Sequence, residues 1–204
     1  MFNRKIRATA VAGIALTVAL VATGCAAGGG DTGGDGGDAN YSITFLPKNL
    51  GNAYFDTSDA GGAEAIDEFG GTYAEVGPAT ATPDSQVSFI DTAAQQGVGA
   101  LVVSANDPDA LCDSLNTARD NGVKVVTFDS DVNPDCRDLF INQADAEGIA
   151  KIEVDLIAEQ IGGAGQVAIL SAAATATNQN AWIDIMKEYI ASDYPDIELV
   201  EVVY

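Results

Sequence analysis

Two apolar runs, GALVV at 99–103 and KVVTF at 124–128, are continuous rather than alternating, and amphipathic helical segments flank both. A strand apolar at every position belongs to a sheet covered on both faces, which means a parallel sheet with helices above and below. The rest of the chain from Tyr41 keeps that rhythm. Strands are predicted over 42–47, 72–76, 99–103, 124–128, 139–142, 166–170 and 197–203. Helices are predicted over 55–69, 83–96, 108–121, 146–161 and 178–191. Gly70, Gly97 and Gly122 stop the first three helices, and Pro108 opens the third. In the second helix Val87, Ile90, Ala93 and Ala94 share one face, and in the fourth Ile149, Ile152, Leu156 and Ile157 are expected to face inward. A β-α unit of roughly 25–30 residues predicts an α/β fold with doubly wound parallel sheets.

The first 40 residues have a different character. Arg4, Lys5 and Arg7 precede an uncharged apolar run, then Thr23-Gly24-Cys25. That order is a secretory signal over 1–24. Its ending resembles a bacterial lipobox, with Cys25 as the lipidated residue and Ala22 where Leu is usual. The run is short for a membrane span of about 20 residues. Residues 26–40, AAGGGDTGGDGGDAN, hold seven glycines and three aspartates, so 25–40 reads as a flexible tether. At the other end the chain stops at Tyr204 inside the apolar run IELVEVVY, with no helix to cover it. The expectation is therefore an N-terminal fragment with an incomplete final unit, weak in ligand binding on its own.

Charge and residue types exclude whole classes of function. The chain has 9 basic and 30 acidic residues, net −21, and no histidine. Loss of 1–24 would remove three basic residues and no acidic one, taking the charge to −24. Such a surface repels nucleic acid and anionic headgroups. Without histidine, Ser-His-Asp and Cys-His catalysis are absent, as is most zinc chemistry. Cys112 and Cys136 remain after Cys25. In an oxidising compartment they are either a bridge closing a loop of about 25 residues or two buried thiols.

In open parallel sheets ligands bind beyond the carboxyl ends of the strands. Those ends carry Lys48, Asn49, Tyr54 and Phe55; Asn106 and Asp107; Asp129 and Asp131; and Asn178, Gln179 and Asn180. Carboxylates and amides match adjacent hydroxyls, and aromatic faces cover the apolar side of a sugar ring. Other motifs fail. No strand leads into G-x-G-x-x-G or a phosphate loop. Asp129-Ser130-Asp131-Val132-Asn133 opens like a calcium loop, but Pro134 stands where glycine is needed and Phe140 where the bidentate Glu belongs. The same D-x-D resembles the nucleophile motif of haloacid-dehalogenase-type phosphatases, yet it follows the fourth strand rather than the first and has Asn133 in place of Thr or Val.

The stretches FLPKNLGNAYFD, VGPATATPDSQV, VVSANDPDALC, VVTFDSDVNPDCRDLFINQ and ATNQNAW together resemble the substrate-binding lipoproteins of ABC transporters. The resemblance covers 42–204 and is greatest to the branch with rhamnose-binding and furanosyl-autoinducer-binding proteins. It implies a type I periplasmic-binding-protein fold of two Rossmann-like lobes: 41–141 as first lobe, the INQ stretch at 141–143 as first crossover with 142–145 as hinge, and 146–204 as a truncated second lobe. It implies Lys48 and Asp129 as ligand contacts with Asp131 in support, and Asn178 and Gln179 from the T-x-Q-N-x-W motif. Autoinducer binders carry Asp at the position of Asn178, which places this chain on the rhamnose side. The implied function is capture of a monosaccharide for an ABC permease, without covalent chemistry or cofactor, at the outer face of the membrane through a lipid anchor. A furanosyl-autoinducer receptor and a sugar sensor feeding a signalling partner are the alternatives. A sugar-responsive repressor of the same fold would need a basic DNA-binding N-terminus, and this chain begins with a secretory signal.

Overall fold

The computed structural model describes residues 41–204. The signal region 1–24, Cys25 and the tether 25–40 lie outside the described residues. Strands β1 (Ser42–Leu46), β2 (Thr72–Glu75), β3 (Ala100–Val103), β4 (Lys124–Phe128) and β5 (Leu139–Ile141) alternate with helices α1 (Ala53–Glu68), α2 (Val87–Gln96) and α3 (Cys112–Asp120). They form one parallel sheet in the order β2-β1-β3-β4-β5. After α4 (Ala146–Ile161), strands β6 (Gly165–Leu170) and β7 (Ile197–Val203) pair in parallel around α5 (Thr177–Asp193). The first sheet changes winding direction between β1 and β3, which is where parallel sheets of this order open a crevice at their carboxyl edge.

The continuous apolar strands explain the layering. Leu46, Leu101, Val103 and Val125 are fully buried against Ile90 and Ala93 of α2 and Leu115 and Ala118 of α3. Burying each large side chain contributes about 1.5–3 kcal/mol. The opposite face carries aromatic residues: Phe45 packs on Tyr73 and Phe128, and Phe55 of α1 meets Phe128 edge-on. Helix α1 lies so close that a Cβ on Gly62 would collide with the Phe45 ring. Cys112 at the start of α3 is bonded to Cys136, with Cα atoms 5.2 Å apart. Closing that loop is worth about 3 kcal/mol on a chain-entropy account.

Three expectations need correction. Helix α2 starts at Val87, not at residue 83. The Ser85 hydroxyl donates to the Thr82 carbonyl and accepts from the Thr82 N–H, which holds that segment in a turn. Helix α3 starts at Cys112, not at residue 108, because the Asp107 carboxylate takes the N–H groups of Asp109 and Ala110 into a turn. In α4 the inward stripe is Ala150, Val154 and Ala158, while Ile152, Leu156 and Ile157 are exposed. Small residues let α4 approach α5, so Ala150, Val154 and Ala158 share a cluster with Met186 and Ile190. Val167, Ile169 and Leu199 of the β6–β7 pair pack on that cluster, whereas Leu170 on the other side of the pair is 83% exposed.

One inward position of α1 is polar. Asp59 follows Phe55 by one turn and is 3% exposed, and neither carboxylate oxygen has a hydrogen-bond partner. The Tyr73 hydroxyl is likewise buried without a partner. Burial pushes the Asp59 carboxyl up to about 7, helped by the carboxylates of Glu75 and then Asp56. The folded value lies above the unfolded one. The chain therefore loses stability as pH rises from about 4 to about 7, where the unfolded chain ionises Asp59 and the folded chain resists. Asp59→Asn should match the parent near pH 4 and exceed it by ~1–3 kcal/mol near pH 8 in urea unfolding. A difference between the two that does not change with pH would contradict this account.

Candidate ligand-binding site

Strands β1, β3 and β4 end in step, because Leu46 pairs with Val103 and Val103 with Thr127. The residues just beyond, Lys48, Ser104 and Asp129, therefore emerge along one edge. A fully buried amide fixes that edge. Gln86, ahead of α2, donates through Nε2 to the carbonyls of Pro47 (3.0 Å) and Ser104 (2.8 Å) and accepts the Asn106 N–H through Oε1 (2.9 Å). Asn106 in turn donates through Nδ2 to the Lys48 carbonyl at 2.9 Å. The loops after β1 and β3 are thus stapled to each other across the point where the sheet changes direction.

Asp129 stands at the centre. It is buried, and among the described residues it is the one non-glycine with positive φ, 58°. Asp tolerates that left-handed conformation better than most residues. Its Oδ2 accepts from the Ser104 hydroxyl at 2.7 Å and faces Lys48 Nζ at 3.5 Å. Its Oδ1 accepts from Asn178 Nδ2 at 2.8 Å and Gln143 Nε2 at 3.3 Å. Burial lowers the Lys48 pKa, and the Asp129 charge pulls it back up. The Tyr54 hydroxyl is raised, first by burial and then by Asp129.

These groups line a cavity of about 330 Å³. Lys48, Asn49, Tyr54, Phe55, Asn106, Asp129, Asn178 and Gln179 all border it. Tyr54 and Phe55 meet edge-on at 5.2 Å and form an aromatic wall. Across the opening stand Asn178 and Gln179 in the first turn of α5, with Trp182 one turn further. Gln179 Oε1 is held by the Ser171 hydroxyl (2.7 Å) and the Ala172 N–H (2.8 Å), so its NH₂ is what it offers the cavity. Donors, a carboxylate and aromatic faces around one cavity suit a small polyhydroxylated ligand.

Asp131 stands apart from the ligand-facing groups, in keeping with a supporting place. It does not border this cavity; both its oxygens are held by Arg137, at 2.7 and 2.8 Å, and the Thr127 hydroxyl also donates to it. A carboxylate engaged in such a fork has little left for a ligand, and its effect is to brace the loop after β4. Sequence reasoning missed Asn52, Gln143 and Trp182. Two of them had a readable signal: Gln143 follows the fifth strand directly, and Trp182 lies four residues after Asn178 on one helix face.

A cavity at the carboxyl edge of one parallel sheet, faced by a helix that begins beside a second sheet, defines a ligand-binding α/β fold of the type I periplasmic-binding-protein kind. Residues 43–204 match the periplasmic binding protein domain, and the chain belongs to that family. A sugar ABC transporter protein from Actinomyces odontolyticus is 51% identical, with a TM-score of 0.62 over 82% of this chain and 55% of that one. A solute-binding protein from Clostridium phytofermentans, solved with bound L-rhamnose, is 39% identical, with a TM-score of 0.77 over 79% and 51%. LsrB from Clostridium saccharobutylicum, solved with AI-2, is 32% identical, with a TM-score of 0.73 over 79% and 53%. The chain spans about half the length of each.

The Gln86 staple gives a direct test of the site's scaffold. Gln86→Ala leaves two carbonyls and one N–H buried without partners and should cost at least ~2 kcal/mol in urea unfolding. A loss below about 0.5 kcal/mol, the range of ordinary surface changes, would show that the staple is dispensable.

Proposed function

We propose that this chain carries the ligand-capturing part of an extracytoplasmic sugar receptor that serves an ABC importer, with a deoxyhexose such as L-rhamnose as its ligand. The observation that carries this reading is the Asp129 hub: a buried carboxylate with Lys48, Gln143 and Asn178 around it and aromatic walls beside it. A sugar hydroxyl replaces one of those partners with a charge-assisted hydrogen bond, and Tyr54, Phe55 or Trp182 covers a ring face. The relative that holds L-rhamnose supports the choice of sugar. Binding is the whole of the activity in this reading, and no covalent step or cofactor takes part. Residues 142–145, between β5 and α4, serve as the hinge between a first lobe (41–141) and a second (146–204). Cys25 carries a lipid that tethers the receptor to the outer face of the membrane, where it meets the permease.

A second reading, an autoinducer receptor, has support from the relative solved with AI-2. Asn178 weighs against it. Its NH₂ donates to Asp129, and an Asp at 178 would set two carboxylates against each other and raise the pKa of at least one. Titration calorimetry with L-rhamnose, AI-2, D-arabinose and D-ribose separates the two. L-rhamnose should bind tightest, Asp129→Ala should weaken it by about tenfold or more, and Asn178→Asp should move preference toward AI-2. Unchanged rhamnose affinity in Asp129→Ala would refute the site, and tighter AI-2 binding by the parent protein would establish the second reading.

A further inference from the structure

Three hydroxyl groups join the loop ahead of α5 and the first turn of α5 to the loops at the ends of the first sheet. The Thr175 hydroxyl donates to the Asn106 carbonyl at 2.7 Å, the Thr177 hydroxyl donates to the Asp131 carbonyl at 3.1 Å, and the Ser130 hydroxyl donates to Asn178 Oδ1 at 2.6 Å. None of the three hydroxyl-bearing residues borders the ligand cavity. They span 46 to 69 positions of sequence, and each links the segment 175–178 to a loop following β3 or β4. We infer that Ser130, Thr175 and Thr177 are positioning residues: a hydroxyl clasp that seats the start of α5 on the first sheet before any ligand arrives and so presents Asn178 and Gln179 to Asp129.

The chemistry of the acceptors makes the clasp specific. The Asn106 and Asp131 carbonyls can only accept, so each threonine must donate, and valine, equal in shape, cannot. Asn178 Oδ1 also accepts the Gln179 N–H at 2.8 Å, so with Ser130 both its lone pairs are engaged and its NH₂ is left to face Asp129. A receptor whose competent form is already populated binds with an affinity reduced less by the closing equilibrium. Removal of the clasp therefore opens the ligand-free protein and weakens the ligand without touching a ligand contact.

The inference rests on the sugar-receptor reading for its affinity arm alone. Trp182 is the single tryptophan of the chain and borders the cavity, so its emission reports whether the cleft is closed, with no ligand needed. Thr175→Val/Thr177→Val should shift ligand-free Trp182 emission to the red, while Thr175→Ser/Thr177→Ser, which keeps both hydroxyls, should match the parent. Affinity for the tightest-binding sugar of the panel should fall about 10-fold to 100-fold in the valine pair and hold in the serine pair, as expected for loss of two hydrogen bonds. Should the valine pair fail to fold by circular dichroism, either single valine variant gives the same readout with a smaller shift. Emission identical to the parent in folded valine variants overturns the clasp, whatever sugar binds. A red shift that the serine pair reproduces overturns it too, since the hydroxyls would then not be the cause. A red shift in valine variants alone, with no sugar bound by any protein, supports the clasp and rejects the sugar reading.

Discussion

A carboxylate cannot sit inside a protein uncompensated, and Asp129 is a buried carboxylate. Its compensation comes from four separate places in the chain: Lys48 after β1, Ser104 after β3, Gln143 after β5 and Asn178 at the start of α5. Each must reach one point, so the ends of three strands and the first turn of a distant helix are drawn together there. Asp59 shows the opposite case. It is buried with no partner, and its carboxyl rises to about 7. One acid is ringed by donors; the other has none and only weakens the fold at higher pH.

The sheet order makes the convergence possible. Loops from β1 and β3 leave in opposite directions, and the gap between them is where a ligand fits. The Gln86 amide staples the loops on either side of that gap, and the hydroxyls of Ser130, Thr175 and Thr177 tie the start of α5 to the loops after β3 and β4. A receptor needs groups that stay in place when the ligand is absent yet can exchange partners when it arrives. In the proposed receptor Asn178 and Gln143 are the partners a ligand would displace, since each donates to Asp129 and each borders the cavity.

Much of this was legible in the residues, for reasons of pattern. GALVV and KVVTF are apolar at successive positions, so the parallel sheet could be read directly, although only the face toward α2 and α3 is fully buried and the other face of β3 and β4 is partly covered. Lys48, Asp129 and Asn178 stand immediately after strands or at a helix start, where the fold class places ligands. Pattern failed where long-range contacts decide. Ile152 and Leu156 are apolar and helical in spacing, yet α4 turns its alanines toward α5. The family resemblance separated Asp129 from a supporting Asp131, but that the support is a fork to Arg137, six residues on from Asp131, could not be read from the residues. Gln86 reads as an ordinary helix residue because its three partners lie 18 to 39 positions away.

In the proposed function the Asp129 carboxylate is the point on which a bound sugar is organised. A crystal structure of the protein grown with the tightest-binding sugar of the panel tests it most directly. The sugar should lie in the cavity between Lys48, Tyr54, Phe55 and Trp182, with a hydroxyl within hydrogen-bonding distance of Asp129 in place of Gln143 or Asn178. Sugar bound elsewhere, with Asp129 still holding Lys48, Ser104, Gln143 and Asn178 as it does without ligand, would contradict it.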